Sequence, residues 1–268
     1  MADISSGAHI VVGSDKGGVG KDLAAEGVYQ AALLRGLKPT MIEVETARRL
    51  GLLYPETISI NLNVPSAEAV YANPDVVFAA LDQAGDIWRG TNLTVTSLGA
   101  NVASAVVVWG ASNGAKMLNN GANMTFVVPL TMNRHAMSAG LANLFDFGTT
   151  FPAARRIAIL NDLHAMFMDD DRFLAKRLEE ARGEGKPIET IRLPRCSAPA
   201  WGYAQNHGTL AEIARLDPEE LIKLGLPEGP VRRSMSIITT WIADALIGPL
   251  GALLPEQQPA PRAQRKSK

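Results

Sequence analysis

The sequence contains a single cysteine, Cys196, and only four histidines among its 268 residues. One thiol cannot form an internal disulfide, and the histidines lack the close spacing that a zinc site needs. An excess of charge of one sign is also missing, because 26 Lys and Arg residues face 27 Asp and Glu residues. No overall field therefore attracts nucleic acid or a membrane, and the lone cysteine is typical of a reducing compartment.

Long hydrophobic runs are scarce as well. The stretch 235–254 has membrane-spanning length, but Asp244 lies in its middle and Pro249 and Gly251 interrupt it, which disfavours a transmembrane helix. The first residues show no basic segment followed by an apolar one, so we expect no secretory signal and a cytoplasmic protein. With 47% apolar residues, the chain can form a sizeable core.

Short apolar runs alternate with longer segments of helical spacing along most of the chain. This alternation predicts one α/β domain over residues 1–254, with a doubly wound, mostly parallel sheet and helices on both faces. The predicted strands are 9–12, 40–44, 58–64, 93–98, 125–128, 156–160 and 187–191, and the predicted helices are 23–32, 103–118, 135–145 and 170–182.

The C-terminal region divides into a helix and a tail. Apolar residues recur at i, i+4 spacing from Ile237 to Leu246, which predicts an amphipathic helix that docks on its own sheet. The alternative is a reversible membrane-binding or partner-binding face. Residues 255–268 are rich in Pro and Gln and carry four basic residues after Glu256. They predict a disordered basic tail, whose charge could make weak contact with DNA or anionic lipid.

A glycine-rich segment follows the first predicted strand and opens the first predicted helix. Residues 13–22 have the sequence GSDKGGVGKD. Glycines there let successive backbone N–H groups point at phosphate oxygens, a conformation that side chains would obstruct. The helix N-terminus and Lys21 would add positive charge for a polyphosphate. The segment therefore predicts a phosphate-binding loop, with an ordinary glycine-rich turn as the alternative.

Residues 16–21, KGGVGK, resemble the deviant Walker A loop of the ParA/MinD family of P-loop ATPases, in which an extra lysine precedes the glycine pair. The resemblance implies ATP and Mg²⁺ as ligands and a homodimer that sandwiches the nucleotides. Lys16 would then reach the phosphates of the partner subunit and act in catalysis. The cofactor-binding residues that the resemblance implies are Lys16, Gly17, Gly18, Val19, Gly20, Lys21, Asp22 and Asn161.

Further matches to the family extend along most of the chain. The strand that ends in Glu43-Val44-Glu45 resembles an apolar strand ending in Asp-x-Asp, which implies that Glu45 is the catalytic carboxylate near the attacking water. Asn161 stands where the family often places an asparagine that contacts the base, and residues 193–195 resemble an Ile-Pro-Arg turn. Residues 99–101 and the general layout look most like the conjugal-transfer proteins of the TraL type.

Two departures from the family pattern concern the metal. Asp22 replaces the loop Ser or Thr, and the predicted strand 93–98 has Thr96 and Ser97 where an Asp is expected. Either Asp22 coordinates Mg²⁺ with its carboxylate, or its charge weakens nucleotide binding. Asp22 would also be favourable simply as an acidic residue at a helix start. Without the strand carboxylate, phosphoryl transfer should be slow.

Two functions therefore remain open from the sequence. The first is a ParA/MinD-like protein that binds Mg-ATP and hydrolyses it slowly to control dimerisation, in plasmid transfer, partition or intracellular positioning. The second is a non-catalytic adaptor that keeps the fold and acts through protein contacts.

Overall fold

The structure, a computed structural model, describes residues 7–163, 165–168 and 171–256. The strands are β1 (Ala8–Val12), β2 (Thr40–Val44), β3 (Ile58–Ile60), β4 (Leu93–Leu98), β5 (Met124–Leu130), β6 (Arg155–Asn161) and β7 (Glu189–Leu193). They form one sheet in the order β3-β2-β4-β1-β5-β6-β7, and every neighbouring pair is parallel. The predicted α/β class and doubly wound parallel sheet are confirmed.

Helices cover both faces of the sheet, since each parallel connection must cross over one face. The helices are α1 (Lys21–Leu34), α2 (Arg49–Leu53), α3 (Ala67–Ala72), α4 (Pro74–Gly90), α5 (Val102–Trp109), α6 (Ala115–Met117), α7 (Arg134–Thr150), α8 (Arg172–Gly183), α9 (Trp201–Ala204), α10 (Leu210–Ile213), α11 (Pro218–Lys223), α12 (Glu228–Thr240) and α13 (Gly248–Gly251). The core divides accordingly, with α1 and α10 to α13 over one face and α3 to α5, α7 and α8 over the other.

The predicted strands all occur, with ends that shift by a few residues. β3 is the largest difference: it ends at Ile60 instead of residue 64, because only residues 58–60 pair with β2. The predicted helix over 103–118 occurs as α5 and α6, which follow one another through a π-helical turn, Gly110–Gly114.

One long helix, α4, is missing from the prediction. Its buried residues Val77, Leu81, Ala84 and Trp88 recur at intervals of three and four residues, and Pro74 stands at its first position. Both are ordinary sequence signals of an amphipathic helix. The short helices α9 to α11 have no comparable periodicity.

The C-terminal helix docks on its own domain. It runs through α12, the π-helical stretch Trp241–Ile247 and α13. Ile238, Ile242, Leu246 and Leu250 are buried in the core shared with α1, so this apolar stripe is already covered by the chain itself. Of the predicted stripe, Ile238, Ile242 and Leu246 are therefore unavailable to a membrane or a partner, whereas Ile237 is 38% exposed. In the part of the chain that the structure describes, no helix is long and apolar enough to cross a membrane. Most of the predicted tail, residues 257–268, lies outside the described residues.

Candidate functional site

The glycine-rich loop lies at the centre of the sheet. It joins β1, which has β4 on one side and β5 on the other, to α1. The chain order reverses at this point of the sheet, and the carboxyl ends of parallel strands at such a switch point form the usual ligand crevice of α/β folds. The position of the loop is thus set by the topology as well as by its own sequence.

The loop backbone presents free N–H groups at the start of α1. Gly18 and Gly20 adopt left-handed backbone angles, with φ of 73° and 93°, and Gly20 is the N-cap of α1. Among the described residues, no protein acceptor meets the N–H groups of Gly18, Gly20, Lys21 and Asp22. A Cβ on Gly17 or Gly18 would meet no atom within 4 Å. The loop is therefore an open cradle of donors, which suits an anion.

Two anchors that lie far away in sequence hold the loop. The carboxylate of Asp15 accepts hydrogen bonds from the backbone N–H of Ser104 (3.1 Å), from the Ser104 hydroxyl and from Nδ2 of Asn143 (2.8 Å). On the other side, Nδ2 of Asn161 donates to the carbonyl of Val19 at 2.9 Å. Asp15, Ser104 and Asn143 were not predicted as site residues, because nothing in the local sequence links them. Asn161 was predicted as a site residue, but its contact with the loop was not.

The two lysines of the loop differ in their surroundings. Lys21 is buried, and its Nζ donates to the carbonyl of Lys16 at 3.1 Å. Burial lowers the pKa of Lys21, against the opposing effects of Asp22, Glu45 and Asp15. The side chain of Lys16 is exposed. The structure thus buries Lys21 against the loop backbone and leaves Lys16 exposed to solvent.

The end of the loop and the end of β4 meet through Asp22 and Ser97. The Ser97 hydroxyl donates to Oδ1 of Asp22 at 3.1 Å, and Nη1 of Arg49 lies 3.3 Å from Oδ2. Thr96 points to the opposite face of the sheet, where its Oγ1 accepts a hydrogen bond from Trp88 at 2.9 Å. Of the two candidates at the end of β4, Ser97 is therefore the residue that faces the loop.

The two acids at the end of β2 have different roles. Glu43 is fully buried and accepts hydrogen bonds from the N–H groups of Leu50 (2.6 Å) and Gly51 (3.2 Å) at the start of α2. It is a structural residue that fixes the short helix α2. Glu45 is half-buried, and its Oε1 is buried without a hydrogen-bond partner among the described residues.

Burial raises the pKa of Glu45 to about 7. The charge of Asp22, a hydrogen bond with Glu43 and the charge of Glu43 act in the same direction, whereas Lys21 opposes them. The predicted catalytic carboxylate is thus within the field of both loop residues, Lys21 and Asp22. Near neutral pH it exchanges a proton readily.

The acids at the loop do not form a metal site on their own. In the described residues there is no group of three or more His, Cys, Asp or Glu that could hold a metal ion. Mg²⁺ commonly binds through one or two carboxylates, with water and substrate phosphates as its other ligands. The carboxylate of Asp22 and the unpartnered Oε1 of Glu45 would suffice as the one or two protein ligands of such a metal.

A cavity of about 630 Å³ opens beside the loop. Asn161 lines it, together with the turn after β7 that contains Pro194 and Arg195. Two tryptophans that sequence analysis did not assign to the site, Trp201 and Trp241, complete its wall, with ring centroids 4.8 Å apart. Aromatic and apolar walls with a few polar groups are typical of sites for small organic ligands.

Comparisons with known proteins give only a distant likeness. No protein-family profile matches the chain, and no curated protein matches it. Among solved structures, the chain is similar to a Cyanothece McdA variant in complex with ATP, with 12% identity over 87% of this chain and 97% of the other and a TM-score of 0.44. This likeness concerns general layout and assigns no residue. None of the comparisons bears on the finer resemblance to the TraL type.

The conformation of Gly20 yields a direct stability test. A Cβ at this position requires an unfavourable left-handed backbone and would lie 2.5 Å from Nδ2 of Asn161, so we expect Gly20→Ala to lower the free energy of unfolding by about 1–2 kcal/mol. Gly17→Ala is the matched control, because its Cβ would meet no neighbour. Chemical unfolding of both variants measures the difference, and equal stabilities would contradict the loop conformation.

The pKa of Glu45 predicts a pH-dependent stability difference. Its pKa is raised from 4.5 to about 7 in the folded protein, so ionisation of Glu45 costs stability progressively as the pH rises from 4.5 through 7. Glu45→Gln removes this titration. We expect the Tm of Glu45→Gln, relative to the unsubstituted protein, to be higher at pH 8 than at pH 5. A Tm difference that is the same at both pH values would contradict the raised pKa.

Proposed function

We propose that this protein binds Mg-ATP at the loop between β1 and α1 and hydrolyses it slowly. The observation that carries this proposal is the open cradle of unpartnered N–H groups, with the buried Lys21 lying across it. Backbone donors and the positive end of a long helix fit the phosphates. The cavity lined by Asn161, Trp201 and Trp241 also has Leu23 of α1 in its wall and has room for a nucleoside.

The residues present also support slow hydrolysis rather than rapid turnover. Glu45, whose pKa is about 7, is suited to accept a proton from the attacking water. Bound Mg²⁺ would neutralise charge on the phosphates. The end of β4 supplies a hydroxyl and no carboxylate, so the strand contributes no negative charge to hold the metal. Because phosphoryl transfer depends on positioning and charge neutralisation, we expect hydrolysis to be slow.

Nucleotide-dependent dimerisation is the proposed use of this slow cycle. Lys16 is exposed at the edge of the loop, where its ammonium can reach a phosphate held by a second copy of the chain. A homodimer that forms with bound ATP and dissociates after hydrolysis would limit the lifetime of the dimer in plasmid transfer, partition or intracellular positioning. These cellular roles follow the resemblance of residues 16–21 to the ParA/MinD loop.

The two loop lysines provide the test of this function. Lys21→Ala should weaken ATP binding at least tenfold, because a buried charge-assisted contact to phosphate is worth about 1.5–3 kcal/mol. Lys16→Ala should leave the affinity of the monomer within about threefold, since hydrogen bonds to exposed charges contribute less, but should lower dimerisation and phosphate release. Calorimetric titration with ATP, sedimentation and a phosphate-release assay measure these effects.

Each result of this test discriminates between functions. ATP binding that is unaffected by Lys21→Ala would refute the loop as the site. Tight binding by the unsubstituted protein without any phosphate release would instead favour the non-catalytic adaptor, an alternative for which the missing acid on β4 is the supporting observation.

A further inference from the structure

The hydroxyl and the carboxylate that usually support Mg²⁺ are both present, but in exchanged positions. In P-loop NTPases a Ser or Thr at the loop end and an Asp on a neighbouring strand hold the metal. Here the loop end supplies the carboxylate of Asp22, and the neighbouring strand β4 supplies the hydroxyl of Ser97. The two side chains are in hydrogen-bond contact at 3.1 Å. The same two groups are therefore present, with the carboxylate on the loop end and the hydroxyl on the strand.

The neighbours of Ser97 in the sheet give a physical reason for the exchange. Ser97 lies between Val12 of β1 and Glu43 of β2 in the parallel register, and side chains at paired positions share one face of the sheet. Glu43 is fully buried there and is committed to the start of α2. An Asp at position 97 would bring a second carboxylate next to a buried first one, at a high electrostatic cost. A serine avoids this cost.

Arg49 completes the arrangement as a counter-ion for Asp22. Its Nη1 lies 3.3 Å from Oδ2 of Asp22, and its side chain is 74% exposed. An exposed ion pair of this kind contributes little to stability, so the guanidinium can leave at small cost. A divalent cation with ATP would compete with Arg49 for the same carboxylate oxygen.

We propose that Asp22 is the carboxylate ligand of Mg²⁺ in the ATP complex, that Ser97 positions it, and that Arg49 occupies it when the metal is absent. This inference rests on the proposed ATP binding and deepens it. Because the described residues hold no complete metal site, Mg²⁺ binds only together with the phosphates. Asp22 then replaces the usual Ser or Thr as a metal ligand, and the substitution does not abolish metal binding.

The experiment measures ATP affinity with Mg²⁺ and with EDTA and compares the ratio of the two Kd values among variants. Asp22→Asn should raise the Kd for ATP with Mg²⁺ at least tenfold, because a metal ligand is lost, while ATP binding in EDTA stays equal or becomes tighter, because a negative charge is lost. Ser97→Ala should reduce the advantage by about tenfold, the lower end of effects seen when a residue that orients a metal ligand is removed. Arg49→Ala should increase the advantage, because the competing cation is gone.

Asp86→Asn is the charge-matched control. Asp86 lies on α4 and pairs with Arg89 at the surface, so its substitution should leave the Kd ratio unchanged. A spectroscopic readout accompanies the titrations. The EPR spectrum of Mn²⁺ with ATP should change on addition of the unsubstituted protein and should change differently with Asp22→Asn.

The outcomes separate this inference from the proposed function. If Asp22 only holds Arg49 or repels phosphate, Asp22→Asn will leave the Kd for ATP with Mg²⁺ unchanged or lower it, and Arg49→Ala will not raise the Mg²⁺ advantage, which overturns the inference. ATP binding that is equally tight with Mg²⁺ and EDTA also overturns it, but leaves ATP binding intact. Absence of ATP binding in both conditions refutes the proposed function itself. Arg49 is exposed, so its variant keeps the test decisive if Asp22→Asn misfolds.

Discussion

The site depends on one backbone constraint, the left-handed turn at Gly20 that converts β1 into α1 within a few residues. This turn directs the first N–H groups of a 14-residue helix toward the carboxyl edge of the sheet, where α/β folds bind ligands. Asn161 occupies the space that a Cβ at Gly20 would need and fixes the Val19 carbonyl. Every helix has unpaired N–H groups at its start. Here Gly20, Asn161 and the position of β1 in the sheet together leave those of α1 accessible to a ligand.

Charge at this edge of the sheet is unusual for a polyphosphate site. Lys21 is surrounded by the fields of Asp15, Asp22 and Glu45, so one buried cation faces three acids. The carboxylate of Asp15 is engaged in hydrogen bonds from Ser104 and Asn143, whereas Asp22 and Glu45 face the open cradle. Asp22 and Glu45 would repel a polyphosphate that entered without a cation. In the proposed complex the metal therefore strengthens nucleotide binding as well as supporting catalysis.

Much of the architecture could be predicted from the sequence, because buried parallel strands are continuous apolar runs and the intervening helices are periodic. The loop was also predictable, since its glycines and lysines are contiguous. The contacts of Asp15 with Ser104 and Asn143 were not, because they join residues about 90 and 130 positions apart and each is an ordinary polar residue in its own segment. The same limit applies to Trp201 and Trp241, whose spacing is equally consistent with simple core packing.

The segment between β2 and α2 is the part of the fold most directly tied to the state of Asp22. Its first residue, Glu45, has a pKa that the charge of Asp22 helps to raise, and Arg49, the first residue of α2, pairs with the same carboxylate. Glu43 meanwhile holds the backbone of α2 through Leu50 and Gly51. Any cation that neutralises Asp22 acts on Glu45 and Arg49 together. Asp22 at the start of α1 therefore interacts by charge with residues on both sides of the segment that joins β2 to α2.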